Sequence, residues 1–301
     1  MSLMTALPGA AAQGLIWGIM AIGVYITFRI LDIADLTVDG TLCTGGAVCI
    51  MMMLSGHNVW VSMLAATGAG LLAGLATGIF HTFMGIPAIL AGILTQLSLY
   101  SVNLKIMGKA NQAINVDKFN LLVSLRRVKG VVLTQNTLFI VAIMIVILIA
   151  VLYWFFGTEL GCSLRATGCN PSMSRAQGIN TDRNKVLGLM LSNGLVALSG
   201  ALLTQYQGFA DINMGRGSIV IGLAAVIIGE AIFSRIFRNF ALKLLSVVFG
   251  SILYYLVLQI VIWMGIDTDL LKMLSALVVA FFLAFPYWKG KYFTKAKQGG
   301  K

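Results

Sequence analysis

The stretch Gly161 to Lys185, GCSLRATGCNPSMSRAQGINTDRNK, is a polar interruption in an otherwise apolar chain, and its reading decides the fold. Asn170 followed by Pro171 has the chemistry of a helix start. The asparagine side chain can accept from free N–H groups, and a proline at the first helical position lacks a donor that would go unpaired anyway. Gly178 supplies the stop, because a residue without Cβ takes the left-handed conformation that ends helices. The helix so bounded has about two turns, too few to persist alone in water, so it must pack against something. Asn180, Thr181 and Asp182 offer a second cap, for a helix that enters apolar sequence at about Val186. A short helix is therefore expected to lie across a membrane face, braced by two spanning helices.

The flanking sequence is apolar enough for that face to be a membrane's. Hydrophobic residues make up 59% of the 301 residues and charged ones 10%, against roughly 25% charged in a soluble domain. The composition predicts an all-α polytopic bundle of about 8–10 transmembrane helices, with no room for a second soluble domain of ordinary size. A span needs about 20 apolar residues, fewer where it is broken or buried in protein. Spans are expected near 10–30, 40–54, 59–80, 86–104, 136–156, 186–206, 218–234, 241–263 and 270–288, the second and seventh being short. Residues 1–289 then form one transmembrane domain, and 290–301 a frayed basic tail. The chain opens without a charged region and cleavage site, so the first span is expected to insert as it stands.

The net charge of +11 is spread over interhelical loops and the tail, which fits positive-inside topology and excludes a nucleic-acid partner. Arg165, Arg175, Arg183 and Lys185, then Arg235, Arg238 and Lys243, then five lysines from Lys289 onward, mark three segments on one side, the cytoplasmic one. Parity puts the segment 105–135 and the N-terminus outside. That segment holds Lys105, Lys109, Lys118, Arg126, Arg127 and Lys129 against a single Asp117, contrary to the simple charge rule. Either its charges have work to do outside, or a span or re-entrant turn is hidden around Phe119 to Leu125.

Small residues at intervals of four, Gly70, Gly74 and Gly78, with a shorter pair at Gly14 and Gly18, are expected to let helices approach closely. Cys43, Cys49, Cys162 and Cys169 have no metal-ligand or redox spacing and are read as small packing residues, with no disulfide framework. The segment Leu31 to Gly46, LDIADLTVDGTLCTGG, places Asp32, Asp35 and Asp39 within apolar sequence. Carboxylates in a membrane are expensive, so this is either a capped polar turn between spans or a broken second helix whose start faces a solute path. Gln96, Ser98, Asn103, Ser192, Asn193, Ser199 and Gln259 are otherwise the polar groups inside spans, suited to hydrogen bonds between helices. Glu230 is read as a structural ion pair with Arg235 or an adjacent helix end.

The pattern Arg165-Ala166-x-Gly168-x-Asn170-Pro171-x-x-Ser174-Arg175-Ala176-x-Gly178 resembles the cytoplasmic coupling segment in permease subunits of bacterial ATP-binding cassette importers of the branched-chain amino acid and ribose class. QYQGFADINMGRG, Gln205 to Gly217, resembles the external loop after the sixth span of that family, and the residues that follow resemble its short seventh helix. The similarity runs from about Thr137 to Pro286 and more weakly over the first hundred residues. The run LDIADLTVDGT is similar to the single-gene permeases assigned to tryptophan or tyrosine uptake.

The resemblance implies a multi-pass protein of the bacterial cytoplasmic membrane. Its short helix would seat on an ATPase subunit, present in two copies and holding the ATP and Mg, while this chain carries no cofactor. The resemblance also implies a second permease chain forming a homodimer, and a solute-binding protein outside. The cargo is expected to be an amino acid, aromatic or branched-chain, with a nucleoside or sugar as the alternative. Around the broken helix, where T-V-D-G stands in place of the family's asparagine-, histidine- and glycine-containing break, the path residues would be Asp39, Thr41 and Thr44, with Gln96 and Asn193. Arg126, Arg127, Lys129, Asp211 and Arg216 would dock the binding protein.

An enzyme is excluded at the first step. His57 and His81 lie at opposite ends of one span, and neither H-E-x-x-H, G-x-S-x-G nor G-x-x-x-x-G-K-[ST] occurs. The second reading is an ion-coupled secondary transporter, which would need inverted repeats, and no clear pair is legible.

Overall fold

A computed structural model describes residues 3–116, 119, 121–128, 136–233, 237, 239–264, 270, 273, 276–281 and 284. Among the described residues, six helices are long and apolar enough to cross a membrane. They are α1 (Leu3–Tyr25), continued by a π-helical turn over Ile26–Ile30, α3 (Val59–Thr82), α4 (Ala88–Met107), α5 (Thr137–Gly157), α8 (Thr181–Gln207) and α10 (Phe240–Trp263). Two shorter apolar helices, α2 (Val38–Leu54) and α9 (Ser218–Phe233), fall at the expected second and seventh spans. The expected span at 270–288 lies largely, and the tail at 290–301 wholly, outside the described residues. The protein is an all-α polytopic membrane protein.

A helix and a pair of strands were not foreseen. A helix α6 (Glu159–Cys169) precedes the short helix α7 (Pro171–Ala176), and two three-residue strands, β1 (Asn111–Ala113) and β2 (Phe209–Asp211), pair antiparallel with Asn111 opposite Asp211. The strands are too short to show an alternating pattern in sequence.

Small residues set the packing. Gly70 and Gly74 of α3 lie against the backbone of Asn193 and Leu189 in α8, where a Cβ would collide, and Gly78 meets Val186. Gly14 of α1 lies against the Ile252 backbone of α10 in the same way, and Gly18 packs closely on Val248. Serine hydroxyls add directed contacts between α8 and α1: Ser192 donates to the Gly23 carbonyl at 2.7 Å and Ser199 to that of Ile16 at 2.8 Å. Helix α5, the most apolar, buries a single stripe of Val141, Ile145, Ile149, Leu152 and Phe156, a helical spacing that leaves its other faces uncovered.

These contacts reveal the inverted pair that no sequence pattern disclosed. Helices α1 and α8 run antiparallel, with the Tyr206 hydroxyl on the Gly9 carbonyl at one end and Gly188 against Leu31 near the other. Each ends in a break followed by a short helix, α2 or α9, and then by a long one, α3 or α10. The long helix of each half packs along the first helix of the other. The short helices start beside one another and diverge. The far end of α2 brings Cys49 to Gln205, and that of α9 brings Glu230 to Arg29, at opposite faces of the bundle.

Candidate functional site

The break before α2 is closed by a buried polar network. Asp35, 1% exposed, accepts from the Thr37 amide at 2.9 Å and from the Asn193 side-chain amide at 2.7 Å. The Thr41 hydroxyl donates to Asn193 Oδ1 at 2.7 Å, and Thr37, Thr77 and Thr95 link their hydroxyls across α2, α3 and α4. Thr44 donates back to the Gly40 carbonyl. Of the residues expected on a solute path, Thr41 and Asn193 are therefore buried fastenings between helices, and Thr44 is buried with its hydroxyl on its own helix.

Asp39 has a specific task. Its Oδ2 accepts the Gly217 amide, and its Oδ1 accepts the Ser218 hydroxyl and the Ile219 amide, each at 2.9 Å. It is the N-terminal cap of α9, supplied from α2, and its negative charge sits where the helix dipole favours one. Its remaining surface lines a cavity of about 350 Å³, together with Gly40, Cys43, Gln96, Leu97, Tyr100, Asn103, Ile212 and Arg216. The Arg216 guanidinium lies over the Tyr100 ring, 5.9 Å from its centroid, within cation–π range. Asn103 is held by its amide on the Gly40 carbonyl at 3.3 Å, while its Oδ1 is buried without a hydrogen-bond partner among the described residues.

Asp39 and Gln96, expected on a solute path, line this cavity, and so does Arg216, expected to dock a binding protein. Tyr100 and Cys43 were missed, and Asn103 was read as a contact between helices. Gln96, Tyr100 and Asn103 recur at four and three residues, one face of a helix, which was the available signal. A larger cavity of about 690 Å³ beside α5 is lined by aliphatic and aromatic side chains such as Phe139, Ile143 and Leu195, and offers nothing to hold a polar solute.

At the end of the bundle near Arg29, the segment 161–185 forms as its caps require. Asn170 Oδ1 accepts the Met173 amide at 3.0 Å, Gly178 takes φ +79°, and Asn180 accepts the Asp182 and Arg183 amides. Ser174 is buried with its hydroxyl on the Asn170 carbonyl, whereas Met173, Arg175 and Ala176 are exposed. Gly168 presses on the Ile30 backbone, Ala166 is exposed, and Arg165 lays its guanidinium over the Phe240 ring at 5.6 Å. The Asn184 amide donates to Thr167 at 2.9 Å and ties α6 to α8. Cys43 and Cys49 pack inside as expected, but Cys162 and Cys169 are exposed because they fall on the outer side of α6. Glu230 pairs with Arg29, whose Nε stands 3.0 Å from both carboxylate oxygens. Arg235 lies outside the described residues.

At the opposite end, the loop after β1 folds back on the bundle without a hidden span over its described part. The Leu122 amide donates to Gln205 and the Ser124 amide to Thr137. Arg127 donates to the Leu121 carbonyl at 2.9 Å, Lys105, Lys109 and Arg126 are exposed, and Lys129 lies outside the described residues. Asp211 accepts the Asn213 amide at 2.7 Å and so shapes the turn into α9.

The family described as "Branched-chain amino acid transport system / permease component" matches residues 7–283. The chain belongs to that family. This permease is 38% identical, over 93% of its length and 91% of the relative's, to the tyrosine transport system permease protein of Clostridioides difficile. It is 25% identical, over 81% of its length and 67% of the relative's, to a fructose import permease protein of Bifidobacterium longum. In fold it is similar to PsaBC from Streptococcus pneumoniae in complex with Fab, with a TM-score of 0.54 at 17% identity, covering 98% of this chain and 96% of that one. The family and the six apolar helices place it in the bacterial inner membrane as a multi-pass protein.

Proposed function

We propose that this permease is the membrane subunit of an ATP-driven importer, that it works as a homodimer with two copies of a separate ATPase, and that its cargo is an amino acid delivered by an external binding protein. The observation that carries the reading is α7, a helix of six residues capped at both ends. It turns Ser174 inward and presents Met173, Arg175 and Ala176 outward, braced through α6 on the ends of α1 and α8. A helix so short gains nothing from exposure except a surface for a partner. Similarity to a tyrosine permease over more than nine-tenths of the chain supports an amino-acid cargo over a sugar, whose permease is matched at lower identity. The exposed Lys105, Lys109 and Arg126 form a basic outer surface that would steer an acidic binding protein, an effect that fades as salt rises.

The test is reconstitution with the ATPase in proteoliposomes. Ala176→Trp is expected to abolish uptake of labelled amino acid while the permease stays inserted and the ATPase still hydrolyses ATP. Met173→Cys is expected to cross-link to the ATPase. Normal uptake by the tryptophan variant, with no cross-link from Cys at 173, would sink the coupling role. A native mass showing one permease chain per complex would remove the homodimer.

A further inference from the structure

We infer that the permease itself recognises its cargo as an α-amino acid, in the cavity between the start of α2, helix α4 and the turn that leads into α9, with Arg216 meeting the carboxylate, Asn103 the ammonium and Tyr100 the side chain. This rests on the importer reading above and deepens it, because it gives the membrane subunit its own selectivity, separate from that of a binding protein.

The first argument is an unmatched charge. Among the described residues the salt bridge is that of Arg29 with Glu230, far from this cavity. Arg216 is placed by its backbone amide on the Asn213 carbonyl at 3.1 Å and by its stacking on Tyr100. The carboxylate that shares its cavity, Asp39, spends both oxygens on the start of α9. Broken helices in transporters commonly turn a free N-terminus toward an anionic substrate group. Here that end is already occupied by a residue of the chain, so an incoming carboxylate is left to the guanidinium, whose planar fork matches it.

The second argument is an unmatched acceptor. Asn103 is 1% exposed and its Oδ1 has no partner among the described residues, although the residue lines the cavity. A buried acceptor without a donor is costly, and an ammonium N–H relieves that cost. Cation, acceptor and aromatic ring together fit a zwitterion with an apolar or aromatic side chain, which Tyr100 and Leu97 can cover. A neutral sugar would satisfy Asn103 and leave Arg216 without an anion. The volume, about 350 Å³, is at the lower end for small-molecule sites.

The experiment uses the full permease purified with its ATPase in nanodiscs, without binding protein. The probes are L-tyrosine, tyramine, which lacks the carboxylate, and 3-(4-hydroxyphenyl)propionate, which lacks the amine. Arg216→Gln is expected to weaken L-tyrosine binding about tenfold or more, the scale of one lost charge-assisted contact, and to leave tyramine binding as in the wild type. Arg216→Lys should recover part of the loss. Asn103→Leu should weaken L-tyrosine and tyramine but not the propionate. Wild-type L-tyrosine binding by the glutamine variant, or an equal loss of tyramine, would overturn the proposal. Uptake in the reconstituted importer separates the two readings. If wild-type complexes import an amino acid and the Arg216→Gln complex does so with unchanged KM, this site fails alone. If wild-type complexes import a sugar and no amino acid, the cargo reading fails and takes the site with it.

Discussion

At the start of α2, the run Ala34-Asp35-Leu36-Thr37-Val38 turns on the Asp35 carboxylate, which accepts the Thr37 amide at 2.9 Å. Before α9, the run Ala210-Asp211-Ile212-Asn213-Met214 turns in the same way on Asp211, which accepts the Asn213 amide at 2.7 Å. The local chemistry is one Asx turn used twice. The surroundings differ. Asp35 is enclosed and bonded to Asn193 in the middle of α8, so α2 is bolted into the core. Asp211 is half-buried beside Asn111, and the chain runs on through Gly215, Arg216 and Gly217 before α9 begins. That helix has no cap residue of its own and takes Asp39 from α2 instead. One start is a fixture; the other forms part of the wall of a cavity, which Ile212 and Arg216 line.

The comparison breaks if the two aspartates prove equivalent. Asp35→Ala leaves the Thr37 N–H and one of the two Asn193 side-chain N–H groups, the other of which stays on the Leu189 carbonyl, unpaired in the core and is expected to cost about 3 kcal/mol. Asp211→Ala, where water can replace the lost acceptor, should cost less than about 1 kcal/mol. Unfolding of the purified permease in mixed micelles measures both, and equal losses would show that burial does not divide the two starts.

Asp39 sharpens the comparison because it belongs to both helices. Its replacement by Ala removes three hydrogen bonds from the first turn of α9 and should cost about 2 kcal/mol, with Asn retaining part of that. If Asn proves as damaging as Ala, the carboxylate's charge at the helix end outweighs its acceptors.

The smallest effect concerns the far end of α9. Arg29 and Glu230 are 49% and 27% exposed at the side chain, so a double-mutant cycle with Arg29→Gln and Glu230→Gln should give a coupling of only about 0.5 kcal/mol. A coupling several times larger would mean that α9 is held at both ends and not chiefly at its capped start.

Features decided by neighbours in the chain were legible. Asn170, Pro171 and Gly178 form a cap, a first position and a stop whose partners lie within four residues, so α7 was read almost to its ends. The glycines of α1 and α3 were read as contacts because a missing Cβ has the same meaning whichever helix approaches. The repeated Ala-Asp-aliphatic-polar-aliphatic run was also in plain sight, but five residues with conservative exchanges do not announce an inverted repeat until the helices around them are seen to correspond. The site was half legible. Asp39 and Gln96 were picked out as polar residues in apolar sequence, and so were Thr41, Thr44 and Asn193, which face inward.

The sequence by itself determined that this chain crosses a membrane many times, where its short helix would stand, and which family it resembles, because hydropathy, caps and motifs are properties of neighbouring residues. Only the tertiary structure decided which polar groups are spent on the fold and which are left free. Asp39 meets α9, Asn193 meets Asp35, and Arg29 meets Glu230 across more than a hundred residues of chain. A buried donor or acceptor is satisfied by whatever the packed helices bring beside it, and that partner is set by the arrangement of the bundle, which no local stretch encodes.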